Sequence, residues 1–238
     1  MSNGWDESAA AWITDQGDEG DFGRKFVLDP PMLERVTGRG FANALDVGCG
    51  EGRFSRMLRA RGIATVGIDP TAALLETARR RDPEGDYRLG RAEALEFADA
   101  SFDLVVSYLT LIDIPDIDAA IPEMARVLKP GGTLLVANLT SFITAGQPLG
   151  WHDGADGKQQ FAIDNYMTEH ADWVQWRGIR IHNWHRPLSH YMSLFLAEGL
   201  QLRAFLEPMP TPDADAAAIE RHHRVPYFVL MEWAKPAA

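Results

Sequence analysis

The segment Leu45-Asp46-Val47-Gly48-Cys49-Gly50-Glu51-Gly52 constrains this chain more than any other. A short apolar run, Ala44 to Val47, ends in three alternating glycines. The helical spacing of Phe54, Met57 and Leu58 begins directly behind them. A glycine turn between a buried strand and a helix brings helix N-terminal amides against a small ligand. Gly48 and Gly50 let the backbone turn and approach that ligand, and Gly52 lets the helix start against the sheet. The loop also carries Asp46 and Glu51, which repel a pyrophosphate and attract an ammonium or a sulfonium. Its third glycine comes one residue early for the G-x-G-x-x-G pattern of dinucleotide sites, where Arg53 stands instead. The pattern therefore favours a positively charged, phosphate-free nucleoside. Asp69, 23 residues beyond Asp46, ends the next apolar run and is placed to bind both hydroxyls of a ribose. Thr71 is the better cap for the helix that follows.

Strands are expected at 63–68, 87–89, 102–108 and 133–139. Helices are expected over 53–61, after Thr71, and over 116–128, where Lys129-Pro130-Gly131-Gly132 stops the last and turns the chain. Such alternation implies right-handed crossovers and a parallel sheet. It lapses between 140 and 186 and then returns as a helix over 188–197, stopped by Gly199, and a strand over 200–206. A polar Pro/Asp-rich connection, 208–224, leads to a final strand over 225–233, which should run antiparallel to its neighbour. The expected fold is α/β: a Rossmann-like, doubly wound, seven-stranded, mostly parallel sheet with an antiparallel last strand. A helical, aromatic lid is inserted after strand 5. The segments are an N-terminal lid (1–42), a cofactor-binding core (43–139), a substrate-binding insertion (140–186) and the C-terminal part of the core sheet (187–238).

The stretches LDVGCGEGRF, VGIDPT, RAEALEFADASFDLVVS and EMARVLKPGGTLLVANL together resemble the successive motifs of class I S-adenosylmethionine-dependent methyltransferases, of the ubiquinone-type and small-molecule group. The resemblance covers about residues 43–139. It implies S-adenosyl-L-methionine as cofactor and S-adenosyl-L-homocysteine as product. By position it puts Asp46, Gly48, Cys49 and Gly50 along the methionine half, Asp69 on the ribose, and Pro70 and Thr71 beside the adenosine. Ala92 and Glu93 would meet the adenine, and Ser107 and Tyr108 the transferable methyl. The family often has Asp where this chain has Arg91, which leaves adenine recognition to Glu93 or a backbone carbonyl. The stretch from Trp5 through Trp12 to Arg24 resembles the family's closing lid, with Trp12 on the cofactor and Arg24 for its carboxylate.

On the substrate side, Trp151, Tyr166, Trp173 and Trp184 are expected to wall an apolar or aromatic acceptor. His185 and His182 are the candidates for a general base. No metal-ligand spacing occurs, and the adjacent His222 and His223 diverge if the segment is a strand. Composition narrows the partners. A formal charge of −11 disfavours sequence-independent nucleic-acid binding, and a single cysteine excludes an intrachain disulfide. The polar N-terminus is not a signal peptide, and no apolar run approaches the ~20 residues of a membrane span. A cytoplasmic monomer or homodimer is expected, methylating a small aromatic or apolar metabolite, with oxygen favoured as the acceptor atom. The alternatives are a non-catalytic S-adenosylmethionine-binding regulator and, disfavoured by the acidic loop, a nicotinamide-dependent oxidoreductase.

Overall fold

A computed structural model describes residues 3–147 and 150–237. Residues 1, 2 and 238 of the expected terminal segments, and 148–149 of the insertion, lie outside the described residues. Helix α1 (Trp5–Gln16) is followed by a π-helical stretch, Gly23–Leu28, running into α2 (Asp29–Glu34). Then come β1 (Asn43–Val47), α3 (Arg53–Arg59), β2 (Ala64–Asp69), α4 (Ala72–Arg81), β3 (Asp86–Leu89), β4 (Phe102–Tyr108), α5 (Ile117–Val127) and β5 (Leu128–Leu139). The insertion holds α6 (Ser141–Ala145), β6 (Gly150–Asp153), β7 (Gln159–Ala162), β8 (His170–Trp176) and β9 (Ile179–His185). The chain closes with α7 (Leu188–Ala197), β10 (Gln201–Leu206), α8 (Ala216–Arg224) and β11 (Phe228–Ala234).

Seven strands form one sheet in the order β10-β11-β5-β4-β1-β2-β3, with β11 antiparallel to both neighbours and the pairs from β5 to β3 parallel. Central strands are apolar on both faces because helices cover both. Leu45, Val47 and Val105 face Ile121, Met124 and Phe195 in one buried layer. Their strand neighbours Ala44, Leu104 and Val106 face Val27, Met32 and Leu58 in the other. Phe195 of α7 stacks on the fully buried Trp233 at 4.9 Å and fastens the antiparallel edge. The order of strands leaves the carboxyl ends of β1, β2 and β4 side by side, where open α/β sheets bind ligands.

Several expectations are corrected. The insertion is chiefly β, not helical: one five-residue helix and two hairpins, β6–β7 and β8–β9. Lys129 to Gly132 bends within β5 instead of separating a helix from a strand, with Gly131 at φ +78°. The 208–224 connection contains α8, capped by Asp215 accepting from the Ala218 N–H at 3.0 Å, so His222 and His223 lie on a helix. Thr71 makes no side-chain cap. The Asp69 carboxylate accepts from the Thr71 N–H instead, at 2.8 Å.

Helix α1 leaves the sheet and docks on the second hairpin. The Ser8 hydroxyl donates to the Arg180 carbonyl at 3.0 Å and accepts from the Arg180 N–H at 2.9 Å, while the Asn3 carbonyl accepts from the His182 N–H at 2.9 Å. Gly4 sits at φ +87° with no room for a Cβ beside the Arg180 carbonyl. Rings continue the contact, Trp5 to Trp12 at 5.0 Å and Trp12 to Trp176 at 6.4 Å. The N-terminal helix and the second hairpin of the insertion thus form one cap over the sheet's carboxyl edge.

Candidate functional site

A cavity of about 750 Å³ opens at the tips of β1, β2 and β4, lined by Gly48, Gly50, Asp69, Pro70, Thr71, Ala92, Glu93, Tyr108 and Asp113, with Trp12 and Arg24 above. A side branch of about 430 Å³ reaches Asp46, Cys49 and Glu51. Asp69 ends β2, and backbone groups fix both its oxygens: Oδ2 accepts from the Gly50 N–H at 2.9 Å and Oδ1 from the Thr71 N–H at 2.8 Å. Each oxygen keeps a second lone pair for a ligand hydroxyl. Burial raises its pKa and the two amides oppose that rise.

Asp46 accepts from the Ser55 hydroxyl at 2.6 Å. Burial pushes its pKa up to about 6, and the neighbouring Asp69 and Glu51 charges add to the rise. Three buried acids around one cavity are costly unless a cation joins them. Glu51 is already paired, with Arg56 and Arg81 each at 2.8 Å. A Cβ built on Gly50, at φ +55°, meets no atom within 4 Å, so a side chain there would occupy open space on the cavity wall. At Gly48, φ +74°, a Cβ would collide with Thr110. Burial pushes the Cys49 thiol pKa well up, which leaves it inert as a nucleophile.

Arg24 lies on the π-helical stretch, its guanidinium 4.7 Å from the Trp12 ring centroid and paired with Asp21 at 2.7 Å. It is presented at the mouth of the cavity, with donors left for a planar carboxylate. Glu93 lines the cavity and is ion-paired to Arg91 at 2.9 Å. Tyr108 contributes its ring, while its hydroxyl donates to Asp29 at 2.8 Å, and Asp29 also holds Arg53. Ser107 is fully buried and lines neither the cavity nor its side branch.

A second compartment of about 600 Å³ adjoins the first. It is walled by Trp5, Trp12, Ile112, Leu139, Trp176, Ile181 and Phe228, with Asp21, Arg24, Asp113 and Asn183 as polar points. The two compartments share Trp5, Trp12, Arg24, Leu109 and Asp113. None of the aromatics singled out in the insertion lines either one. Trp151 packs on Phe161 at 5.4 Å and donates to the Tyr227 hydroxyl at 2.6 Å. Tyr166 packs against Phe142 and His185, Trp184 lies under the Arg186 guanidinium at 4.8 Å, and Trp173 is 42% exposed over His182.

The hairpin register explains why Trp176 faces the compartment and its neighbours do not. Arg177 and Gly178 both have positive φ, as a two-residue turn between these strands requires. Trp176 then pairs with Ile179, Val174 with Ile181 and Asp172 with Asn183, all on one face. Trp173 with His182, and Ala171 with Trp184, fall on the other. The Arg177-Gly178 turn in the sequence would have separated the two sets.

His185 is enclosed outside both compartments. Its Nε2–H donates to the Tyr166 carbonyl at 2.8 Å, and Nδ1 accepts from the Thr144 hydroxyl at 2.8 Å. Burial lowers its pKa, so the neutral ring is favoured. His182 stacks on Trp173 at 3.9 Å, on the far face of the hairpin. Neither imidazole reaches the cavity.

Among the described residues, no group of three or more His, Cys, Asp or Glu is placed to hold a metal ion, and no helix is long and apolar enough to cross a membrane. The methyltransferase domain family matches residues 45–136. A malonyl-[acyl-carrier protein] O-methyltransferase of Serratia marcescens is 35% identical over 126 residues, covering 51% of this chain and 49% of that protein. A demethylmenaquinone methyltransferase of Renibacterium salmoninarum is 40% identical over 117 residues, covering 49% of this chain and 47% of that protein. The chain thus spans about half the length of these curated relatives. The crystal structure of an S-adenosylmethionine-dependent methyltransferase from Mesorhizobium loti aligns with a TM-score of 0.75 at 25% identity, over 86% of this chain and 96% of that one. The domain match contains the glycine loop, Asp69 and Asp113, and ends before the cap hairpins. With that loop, that strand tip and that sheet order in place, residues 45–136 match the methyltransferase domain family, and the fold around them is that of an S-adenosylmethionine-dependent methyltransferase.

Proposed function

We propose that this protein transfers the methyl group of S-adenosyl-L-methionine to an oxygen of a small aromatic or apolar metabolite. One observation carries the reading: the acid-lined cavity shares a wall, at Trp12, Leu109 and Asp113, with an aromatic compartment of its own. The residues present suit the cofactor. Asp46 and Asp69 favour a ligand with positive charge, Asp69 offers paired acceptors for ribose hydroxyls, and the bare edge of Gly50 leaves space where a side chain would stand. Arg24 would take the carboxylate of the amino-acid end, and Ala92 and Glu93 the adenine. When bound, the cofactor supplies an electrophilic methyl on a cationic sulfur.

The chain's own part is placement and exclusion of water. Trp5, Trp12 and Trp176 close the acceptor compartment from above, while Ile112, Leu139 and Phe228 floor it. Holding an acceptor oxygen in line supplies most of the acceleration for such a displacement. Residues 1–42 and 140–186 then act together as a cap, and 43–139 with 187–238 as the binding sheet. The two relatives differ in acceptor, malonyl-[acyl-carrier protein] in one name and demethylmenaquinone in the other, and each matches about half of this chain. Acceptor choice on this reading belongs to the cap. The formal charge of −11 sets a nucleic-acid partner aside and favours a small-molecule one.

Calorimetric titration with S-adenosylmethionine, S-adenosylhomocysteine and NADH tests the reading. Saturable binding of the first two with none of NADH is expected. Binding of NADH with none of S-adenosylhomocysteine would overturn it.

A further inference from the structure

Asp113 lies outside every motif the sequence singles out for chemistry, in the loop between β4 and α5. A turn closed by its N–H on the Thr110 carbonyl, at 2.8 Å, aims it upward. The end of β9 grips that loop from the cap side. The Trp184 N–H donates to the Ile112 carbonyl at 2.7 Å, and the fully buried Arg186 donates to the carbonyls of Leu111, Ile114 and Pro115 at 3.1, 2.9 and 2.9 Å. Asn183 Nδ2 donates to Asp113 Oδ1 at 2.8 Å. The Trp5 side chain hydrogen-bonds the same carboxyl, and the half-buried group keeps surface on the wall that the two compartments share. Among the described residues, no other carboxyl lines both the Asp69 end of the cavity and the aromatic compartment close to Asn183: Asp21 lines only the second, and Asp69 and Glu93 only the first.

We propose that Asp113 is the acid–base residue of this site, ionised while a cationic donor fills the adjoining cavity and taking the acceptor's proton as that charge disappears. The inference rests on the O-methylation reading. Groups from four elements face it. Arg24 on the π-helical stretch, Asn183 on β9 and Trp5 on α1 favour its anion, while Asp69 at the tip of β2 disfavours it. Burial outweighs them and raises the carboxyl pKa well above its ordinary value. A sulfonium next door adds the positive charge that tips the balance to carboxylate. In the reaction the acceptor O–H gives its proton to the Asp113 carboxylate, and the acceptor oxygen bonds to the methyl carbon. The carbon–sulfur bond breaks with its electron pair left on sulfur as a neutral thioether. With the cation gone the protonated acid is again the favoured form, so the proton stays through product release and returns to solvent when the next cationic donor binds.

Proton release on ligand binding reads this coupling without any acceptor. The full chain is titrated with S-adenosylmethionine and with S-adenosylhomocysteine in buffers of different ionisation enthalpy, between about pH 6 and pH 8. The cationic ligand is expected to release protons, its affinity rising with pH by up to about tenfold per unit until Asp113 is ionised in the free protein. The neutral product is expected to show a much flatter profile. Asp113→Asn keeps an acceptor for Asn183 and should bind both ligands, with most of that release and slope lost. Asp46→Asn should leave the larger share in place, and Asn183→Ala should move the end of the slope to higher pH. Equal proton release for the two ligands in the unaltered protein, or undiminished release in Asp113→Asn, would overturn the inference alone. Binding of neither ligand would overturn the methyltransferase reading and the inference with it.

Discussion

On the floor of the cavity, Asp69 is held by the Thr71 N–H of its own strand–loop–helix unit and by the Gly50 N–H of the adjoining one, 19 positions away. In the cap, Trp12 is held by rings from Trp5 and Trp176, and its helix is pinned by Ser8 to Arg180, 172 positions away. The floor is thus built from local backbone geometry and the cap from contacts between distant segments. Cofactor affinity should answer mainly to the first, and acceptor choice to the second.

The largest effect expected separates charge from geometry on the floor. Asp46 has a native pKa of about 6 against an ordinary value of 3.8, so its ionisation opposes folding. That penalty is absent below about pH 4, grows as pH rises to about 6, and is complete above it, at about 3 kcal/mol. Asp46→Asn, which still accepts from Ser55, should stabilise the ligand-free protein by up to about that amount at pH 8, with no gain at pH 4. Denaturant unfolding at the two pH values measures it, and an equal effect at both would break the charge argument. Next, Asp69→Ala should weaken S-adenosylhomocysteine binding by ~1.5–3 kcal/mol, the scale of hydrogen bonds to a charged group. An unchanged dissociation constant would remove Asp69 from the ribose.

His185→Ala leaves a buried Thr144 hydroxyl and a Tyr166 carbonyl without their partner. A stability loss of ~1–3 kcal/mol is expected, with S-adenosylhomocysteine affinity unchanged. Full stability with turnover lost would return the imidazole to the chemistry. Trp12→Ala removes the bridge between α1 and the hairpin, and a loss of ~1 kcal/mol in cofactor binding is expected from its aromatic contacts. Trp151→Ala is the smallest case. Its ring lies with Phe161 and Tyr227 outside both compartments, so cofactor affinity should hold within about 0.5 kcal/mol. A greater loss would mean the first hairpin also reaches the site.

The same division governs what the sequence reveals. Strand ends, glycine turns and acidic residues of the floor announce themselves because each is positioned within two consecutive strand–loop–helix units, as at Gly48, Gly50 and Asp69. The parallel sheet follows from the alternation of elements in the sequence. In the cap, side-chain direction depends on a hairpin register that composition does not reveal. Trp173 and Trp176 differ by an odd number of positions and so lie on opposite faces. His185 looked reactive beside its aromatic neighbours, yet two long-range partners consume its nitrogens. Asp113 gave no local signal, since its role depends on Asn183 arriving from 70 positions away.

A crystal structure of the protein with S-adenosylhomocysteine tests the whole arrangement most directly. The expected result has both ribose hydroxyls on Asp69 and the sulfur facing the wall shared with the Trp5, Trp176 and Asp113 compartment. A ligand bound with its ribose away from Asp69, or its sulfur turned from that compartment, would contradict it.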